Sequence, residues 1–224
     1  MAAQELWERW APEVPNKELI YDSVQEGRDL RENGDRAEAC DRFLTAWEYT
    51  LAVIPENSTT IQEADRTTST FLSLEAFIRS LDSDLATVAE DDPTYYEHRL
   101  DFCREVCETF PDANDELLLD FRHFVADSLK ELNRTADSRT EFELLIEEYP
   151  EDPWAYKKLA DSYWIEESDE LSIETVERTA DLYRTALDID KPLEGASMVA
   201  DRLEEIERRL TDAKGADHHG AEKS

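Results

Sequence analysis

Apolar residues return at intervals of three and four in LLLDFRHFVADSLKEL (117 to 132), TEFELLIEEY (140 to 149) and TVERTADLYRTAL (175 to 187). That is helical periodicity and not the alternation of a half-buried strand. Two further helical patterns, FLSLEAFIRSL and YYEHRLDFCREVCETF, occupy residues 59 to 111 and read as a divergent helix pair with an overlong first helix. Short polar or proline-bearing stretches separate these segments. In PEDPWAY, Asp152 is placed to cap a helix whose first position is Pro153, and EDDPTYY repeats the arrangement with Asp92 and Pro93. Pro55, Pro111 and Pro150 instead follow apolar segments and mark their ends. The pattern predicts about nine helices joined by short connections, and therefore antiparallel pairs. SMVADRLEEIERRL (197 to 210) sets Met198, Val199, Leu203, Ile206 and Leu210 on one stripe, opposite Glu204, Glu205, Arg208 and Arg209, and reads as a closing cap. From Thr211 onward the sequence lacks large apolar residues and predicts a disordered tail, 211 to 224.

The segments also repeat. At a shift of 34 residues Val125 corresponds to Leu159, Ala126 to Ala160 and Leu129 to Tyr163. In the unit starting at Pro153, Tyr156, Leu159, Ala160 and Tyr163 stand on the first helix, with Tyr183 and Ala186 on the second and Pro192 following. The connection IEESDELSI between those two helices is longer than the repeat allows. An earlier unit in residues 23 to 55 has Gly27, Leu30, Gly34, Ala39, Phe43 and Ala46 at corresponding spacings. Gly27, Ala39 and Ala46 let two helices approach closely, and Phe43 fills the space between pairs.

These positions resemble the tetratricopeptide repeat (TPR). The resemblance implies an all-α fold, a right-handed superhelical array of antiparallel helix pairs with a C-terminal capping helix. It divides residues 1 to 210 into units at about 20 to 55, 119 to 152 and 153 to 192, a divergent middle at 59 to 111 and a cap at about 197 to 210. It makes Tyr156 and Tyr163 scaffold residues. It assigns a concave groove to Tyr21, Val24, Arg28, Arg31 and Glu32, to Asp120, His123, Asp127, Lys130 and Glu131, and to Trp154, Lys157, Asp161, Trp164 and Ile165. Of these, Arg28, Arg31, His123, Lys130, Trp154, Lys157 and Trp164 are the candidate partner-binding residues, because Lys or Arg beside Trp offers both charge-assisted and stacking contacts to an acidic or amphipathic segment. One family variant grips C-terminal carboxylates through paired Lys and Asn. Lys157 occupies its Lys position, but Asp161 stands where the Asn belongs and repels a carboxylate, so that activity is not carried over.

Charge changes the picture of possible partners. The 224 residues include 56 Asp plus Glu against 24 Lys plus Arg, a formal charge of −32. Such a surface repels nucleic acid and anionic membranes. Acid is spread along the whole chain, and Arg outnumbers Lys, a balance that resembles proteins of salt-accumulating halophiles; an acidic protein of an ordinary cytoplasm is the alternative. The opening MAAQELWERWAPEVP does not read as a secretory signal, no apolar run reaches membrane-spanning length, and three cysteines at uninformative spacing suit a reducing compartment, so the expectation is a cytoplasmic protein.

No catalytic constellation stands out. Only five glycines occur, which leaves no room for glycine-rich phosphate loops or a nucleophile elbow, and the four histidines lie in unrelated contexts. Cys103, Cys107 and His98 fall near one helix face but lack a fourth metal ligand; core cysteines are the simpler reading. His218 and His219 lie in the tail and read as solvated. The sequence therefore predicts a non-enzymatic protein-interaction scaffold with a protein or peptide partner, no cofactor and no metal. A self-associating structural protein that docks through WERWAP, with Trp7 and Trp10, is the second reading.

Overall fold

A computed structural model describes residues 15–68, 73–165, 172–189 and 191–221, and side chains as far as Asp212. These residues form ten helices and no strand: α1 (Lys17–Asn33), α2 (Arg36–Val53), α3 (Ile61–Thr68), α4 (Leu74–Ala89), α5 (Tyr95–Thr109), α6 (Asp115–Glu131), α7 (Thr135–Glu148), α8 (Pro153–Trp164), α9 (Ile173–Asp188) and α10 (Ala196–Ala221). Consecutive helices pack as antiparallel pairs, α1 with α2, α4 with α5, α6 with α7 and α8 with α9, and α10 lies against α9. The array divides into two compact units between Phe124 and Val125, inside α6.

Local chemistry sets the helix ends. Asn16 caps α1 by accepting from the Glu18 and Leu19 amides at 2.9 and 3.1 Å, which satisfies two of the orphan donors of the first turn. Asp152 caps α8 from Trp154 N and Ala155 N, with Pro153 in the first turn, as its sequence predicts. Asp92 behaves differently. Its carboxylate accepts from the amide and hydroxyl of Thr94, and the helix begins only at Tyr95, so Pro93 sits in the turn ahead of the helix. Two pairs share one turn. Gly34 (φ +95°) ends α1 with Asp35 N donating to Leu30 O, and Asn133 (φ +59°) ends α6 with Arg134 N donating to Leu129 O. Both are left-handed helix stops, which Gly and Asn tolerate best.

In the first unit the core is aromatic. Trp47 is buried, meets Phe102 and Phe110 edge-on at 5.3 and 6.4 Å, and donates its indole N–H to Glu105 at 2.8 Å. Phe102 continues to Phe121 at 6.1 Å, so a ladder of edge-to-face rings links α2, α5 and α6. The divergent middle is a pair of ordinary lengths: α3 is a separate short helix, and α4 begins at Leu74 after residues outside the description.

In the second unit Ala160, Ala180, Tyr183, Val199 and Ile206 form one buried cluster, flanked by Trp164, Leu203 and Leu210. Val199 and Ile206 thus bury the stripe expected of the cap, whereas Met198 lies outside it, 46% exposed. The α10 backbone is helical to Ala221, past Thr211. The connection between α8 and α9 falls largely outside the described residues, as do Trp7 and Trp10.

Gly27 shows how tightly the first pair is fitted. A Cβ placed there meets the buried Phe43 ring at 2.5 Å, closer than packed atoms tolerate. Gly27→Ala is therefore expected to lower the unfolding free energy by about 1–2 kcal/mol, overpacking outweighing the better helix propensity of alanine. Phe43→Leu in the same chain should recover part of that loss in a denaturant titration. A Gly27→Ala chain as stable as the parent would contradict the close approach.

Candidate partner-binding site

The seven candidate residues separate into distinct settings. Arg28 and Arg31, one turn apart on α1, come together over a cleft of about 140 Å3. Its wall includes Val24 of α1, Phe43 of α2, and Phe77 and Leu81 of α4. Exposed Ala76 and Ser80 form the α4 rim. Phe43 and Phe77 meet edge-on at 6.4 Å, and the Arg31 guanidinium stacks 5.6 Å from the Phe43 ring. Arg31 also donates to Asp84 at 2.9 Å and Ser80 at 3.4 Å, so part of its charge is already answered. Arg28, half-buried, makes no hydrogen bond or ion pair among the described residues.

Trp154 and Lys157 are also neighbours, but not as an open grip. Lys157 is 7% exposed and donates from Nζ to Asp161 Oδ2 at 2.8 Å, with Nζ 5.5 Å from the Trp154 ring. Asp161 collects two more donors, Tyr183 Oη at 2.6 Å and an Arg202 guanidinium nitrogen at 2.5 Å. Burial, then the hydrogen bond to Asp161, pushes the Tyr183 phenol well above its usual range, which keeps it a proton donor. The Lys157–Asp161 pair is thus a structural joint between α8, α9 and α10. Trp164 is likewise covered: it packs on the cluster under α10, with the Arg209 guanidinium 4.5 Å over its ring. His123 and Lys130 are half-buried on α6 and belong to neither the cleft nor the Asp161 joint.

The tyrosines assigned to the scaffold are half-buried. Tyr163 lies within stacking reach of Arg139 at 4.2 Å and Arg178 at 5.4 Å, so guanidiniums from α7 and α9 cover it. Cys103 donates to Asp82 at 3.4 Å, and Asp82 is gripped by Arg99 at 2.7 and 3.2 Å. Burial first, and Asp82 second, hold that thiol far above its usual range; burial likewise pushes Cys40 to about 12. Both sulfurs are therefore poor nucleophiles. Among the described residues no group of His, Cys, Asp and Glu is arranged to hold a metal, and no helix is long and apolar enough to cross a membrane.

Sequence reasoning located Arg28 and Arg31 but missed the α4 side of the cleft, which lies in the divergent middle. The available signal was AFIRSL, where Phe77 and Leu81 are four apart and Ala76 and Ser80 give a second, short-chained stripe.

No protein-family model matches the chain, and no curated protein matches it either. Among solved structures it is similar to the crystallised TPR domain of P58(IPK), at 12% identity and a TM-score of 0.40, over 84% of this chain and 55% of that one. The described helix pairs are TPR-like in their own packing: Gly27 against Phe43, and Ala160, Tyr183 and Ala186 in the buried positions expected of them.

Asp161→Asn removes the charge that Lys157 and Arg202 share while keeping the shape. Breaking a buried pair from one side costs about 3–5 kcal/mol, and the partial exposure of Arg202 places the expected loss near the lower end, about 3 kcal/mol. Chemical unfolding monitored by circular dichroism checks this; a loss below about 0.5 kcal/mol would reduce the joint to a surface pair.

Proposed function

We propose that the chain is a non-enzymatic protein-interaction scaffold that holds a short acidic segment by one aromatic or large aliphatic side chain in the α1–α2–α4 cleft. The observation that carries this reading is Arg28. In a chain of net charge −32 it is a half-buried cation with no carboxylate partner among the described residues, set beside a wall of Val24, Phe43 and Phe77. A guanidinium in that position rewards a ligand carboxylate with two parallel hydrogen bonds, while the surrounding acid repels anions that do not reach it. Cleft size sets the apolar part. An apolar cavity of about 150 Å3 accommodates one benzene ring, so this one suits a single ring and not a folded surface.

Recognition through one anchor and one charge pair belongs to peptide binding and gives moderate affinity. Trp154 and Lys157 contribute by building the second unit. The cytoplasmic, salt-adapted setting suggested by composition agrees with a protein that keeps few free cations, because each free one then discriminates strongly.

Selection of a displayed random-peptide library against the purified chain tests the proposal. Enriched peptides are expected to place Phe or Leu beside Asp or Glu, and Arg28→Glu should weaken them at least about tenfold, or 1.4 kcal/mol, with helicity unchanged. Failure to enrich any peptide, or equal binding by the Arg28→Glu chain, would remove the cleft from the function.

A further inference from the structure

We propose that Asp84 determines the charge that the cleft accepts. By answering Arg31 it leaves Arg28 as the cleft's anion site, so the ligand carries a single carboxylate beside its apolar anchor and a vicinal pair of acids gains no affinity. This rests on the reading that the α1–α2–α4 cleft takes one apolar side chain and one carboxylate.

Helical rows from α1 and α4 face each other across the cleft. On α4 Ala76 and Ser80 form the rim, and Asp84 is the next residue of that row, one turn further on. On α1 Arg28 and Arg31 stand one turn apart. Arg31 reaches across to α4 with Nη1, which donates to Asp84 Oδ2 at 2.9 Å and to Ser80 Oγ at 3.4 Å. Its guanidinium carbon lies 5.6 Å from the centre of the Phe43 ring. One ion pair, one hydroxyl and one aromatic face thus hold this guanidinium in place. Arg28 lines the same cleft and has no carboxylate partner among the described residues. Two arginines one turn apart therefore differ in what they offer a ligand.

The Arg31–Asp84 pair carries no net charge. A second ligand acid placed there meets a carboxylate of the protein together with the guanidinium, and the acid of a chain of net charge −32 adds to the repulsion. Without the charge on Asp84, Arg28 and Arg31 become two cations at the spacing of a helical turn, a match for two adjacent acids. The pair does this while carrying little of the fold. Its side chains are 40% and 22% exposed, and a pair so open to water contributes little to stability. Asp84 lies outside the residues that line the cleft, so removing its charge alters the field at Arg31 and leaves the walls as they are. Asparagine accepts the same hydrogen bond and has a similar helix propensity, so Asp84→Asn isolates the charge.

The test uses the full chain and two peptides, labelled with fluorescein at the N-terminus, amidated at the C-terminus and followed by anisotropy. Ser-Gly-Phe-Glu-Gly-Ser places one acid beside the anchor, and Ser-Gly-Phe-Glu-Glu-Ser places two. The parent chain is expected to bind the second no more tightly than the first. Asp84→Asn should bind the two-acid peptide at least about tenfold more tightly than the one-acid peptide, a ratio that a general loosening of the fold would not move. Adding Arg31→Gln should return the ratio to the parent value, and circular dichroism checks helicity in each chain. A parent chain that already prefers two acids by about tenfold would overturn the inference, as would a ratio in Asp84→Asn within about threefold of the parent's. So would a gain that survives Arg31→Gln. In those cases one-acid binding that is lost in Arg28→Glu would keep the cleft reading. If neither peptide binds, or the Arg28→Glu chain binds both as the parent does, the cleft reading fails and the role of Asp84 fails with it.

Discussion

Mutual repulsion of carboxylates is the constraint that this fold must satisfy, and its few cations are placed where helices meet. In the first unit Arg42 reaches from α2 to Glu26 of α1, Arg31 from α1 to Asp84 of α4, Arg99 from α5 to Asp82 of α4, and Arg79 from α4 to Asp120 of α6. In the second, Lys158 joins α8 to Asp127 of α6, Arg178 joins α9 to Glu143 of α7, Arg184 joins α9 to Glu207, and Arg202 joins α10 to Asp161. The exposed members of this set contribute little singly. Asp82 and Asp161 differ, because each is buried and would be untenable without its donors. Arginine suits the task through its planar fork and its ability to stack, used here on Phe43, Phe124, Tyr163 and Trp164.

Small residues complete the seams that charges hold in register. Gly27 admits the Phe43 ring, and the buried alanines Ala39, Ala46, Ala160 and Ala180 keep paired helices close enough for the long basic side chains to reach across. Close packing thus comes first, and pairing of charges selects among the ways in which similar helices could pack. Against that background Arg28, which has no carboxylate partner among the described residues and faces the cleft between α1, α2 and α4, is a group available to a ligand.

Helix existence, pairing and the small-to-aromatic fit of the first unit were legible in the sequence because each rests on local spacing. Leu159, Ala160, Tyr183 and Ala186 follow the repeat and are buried or close-packed as it implies. The site was only half legible. Arg28 and Arg31 lie on a recognisable repeat helix, but the opposing wall comes from α4, whose sequence departs from the repeat, so no positional rule led to Phe77. Lys157 and Trp164 were placed in a groove by their repeat positions; Lys157 is held instead by Asp161, which Arg202 also grips, and Trp164 is covered by Arg209, and both arginines lie on a helix far along the chain. A pairing across such a separation leaves no periodic trace. The start of α5 likewise turned on the bonds from Thr94 to Asp92, which occupy that carboxylate ahead of the helix and which spacing does not reveal.

A double-mutant cycle on Asp82 and Arg99 tests most directly whether buried cation–carboxylate joints hold the helix seams. Unfolding free energies of the parent, Asp82→Asn, Arg99→Gln and the double variant give the coupling. A coupling of about 2 kcal/mol or more, retained at high salt, is the result that this structure predicts. Additive losses, with coupling within about 0.3 kcal/mol of zero, would contradict it and leave apolar packing alone to define the array.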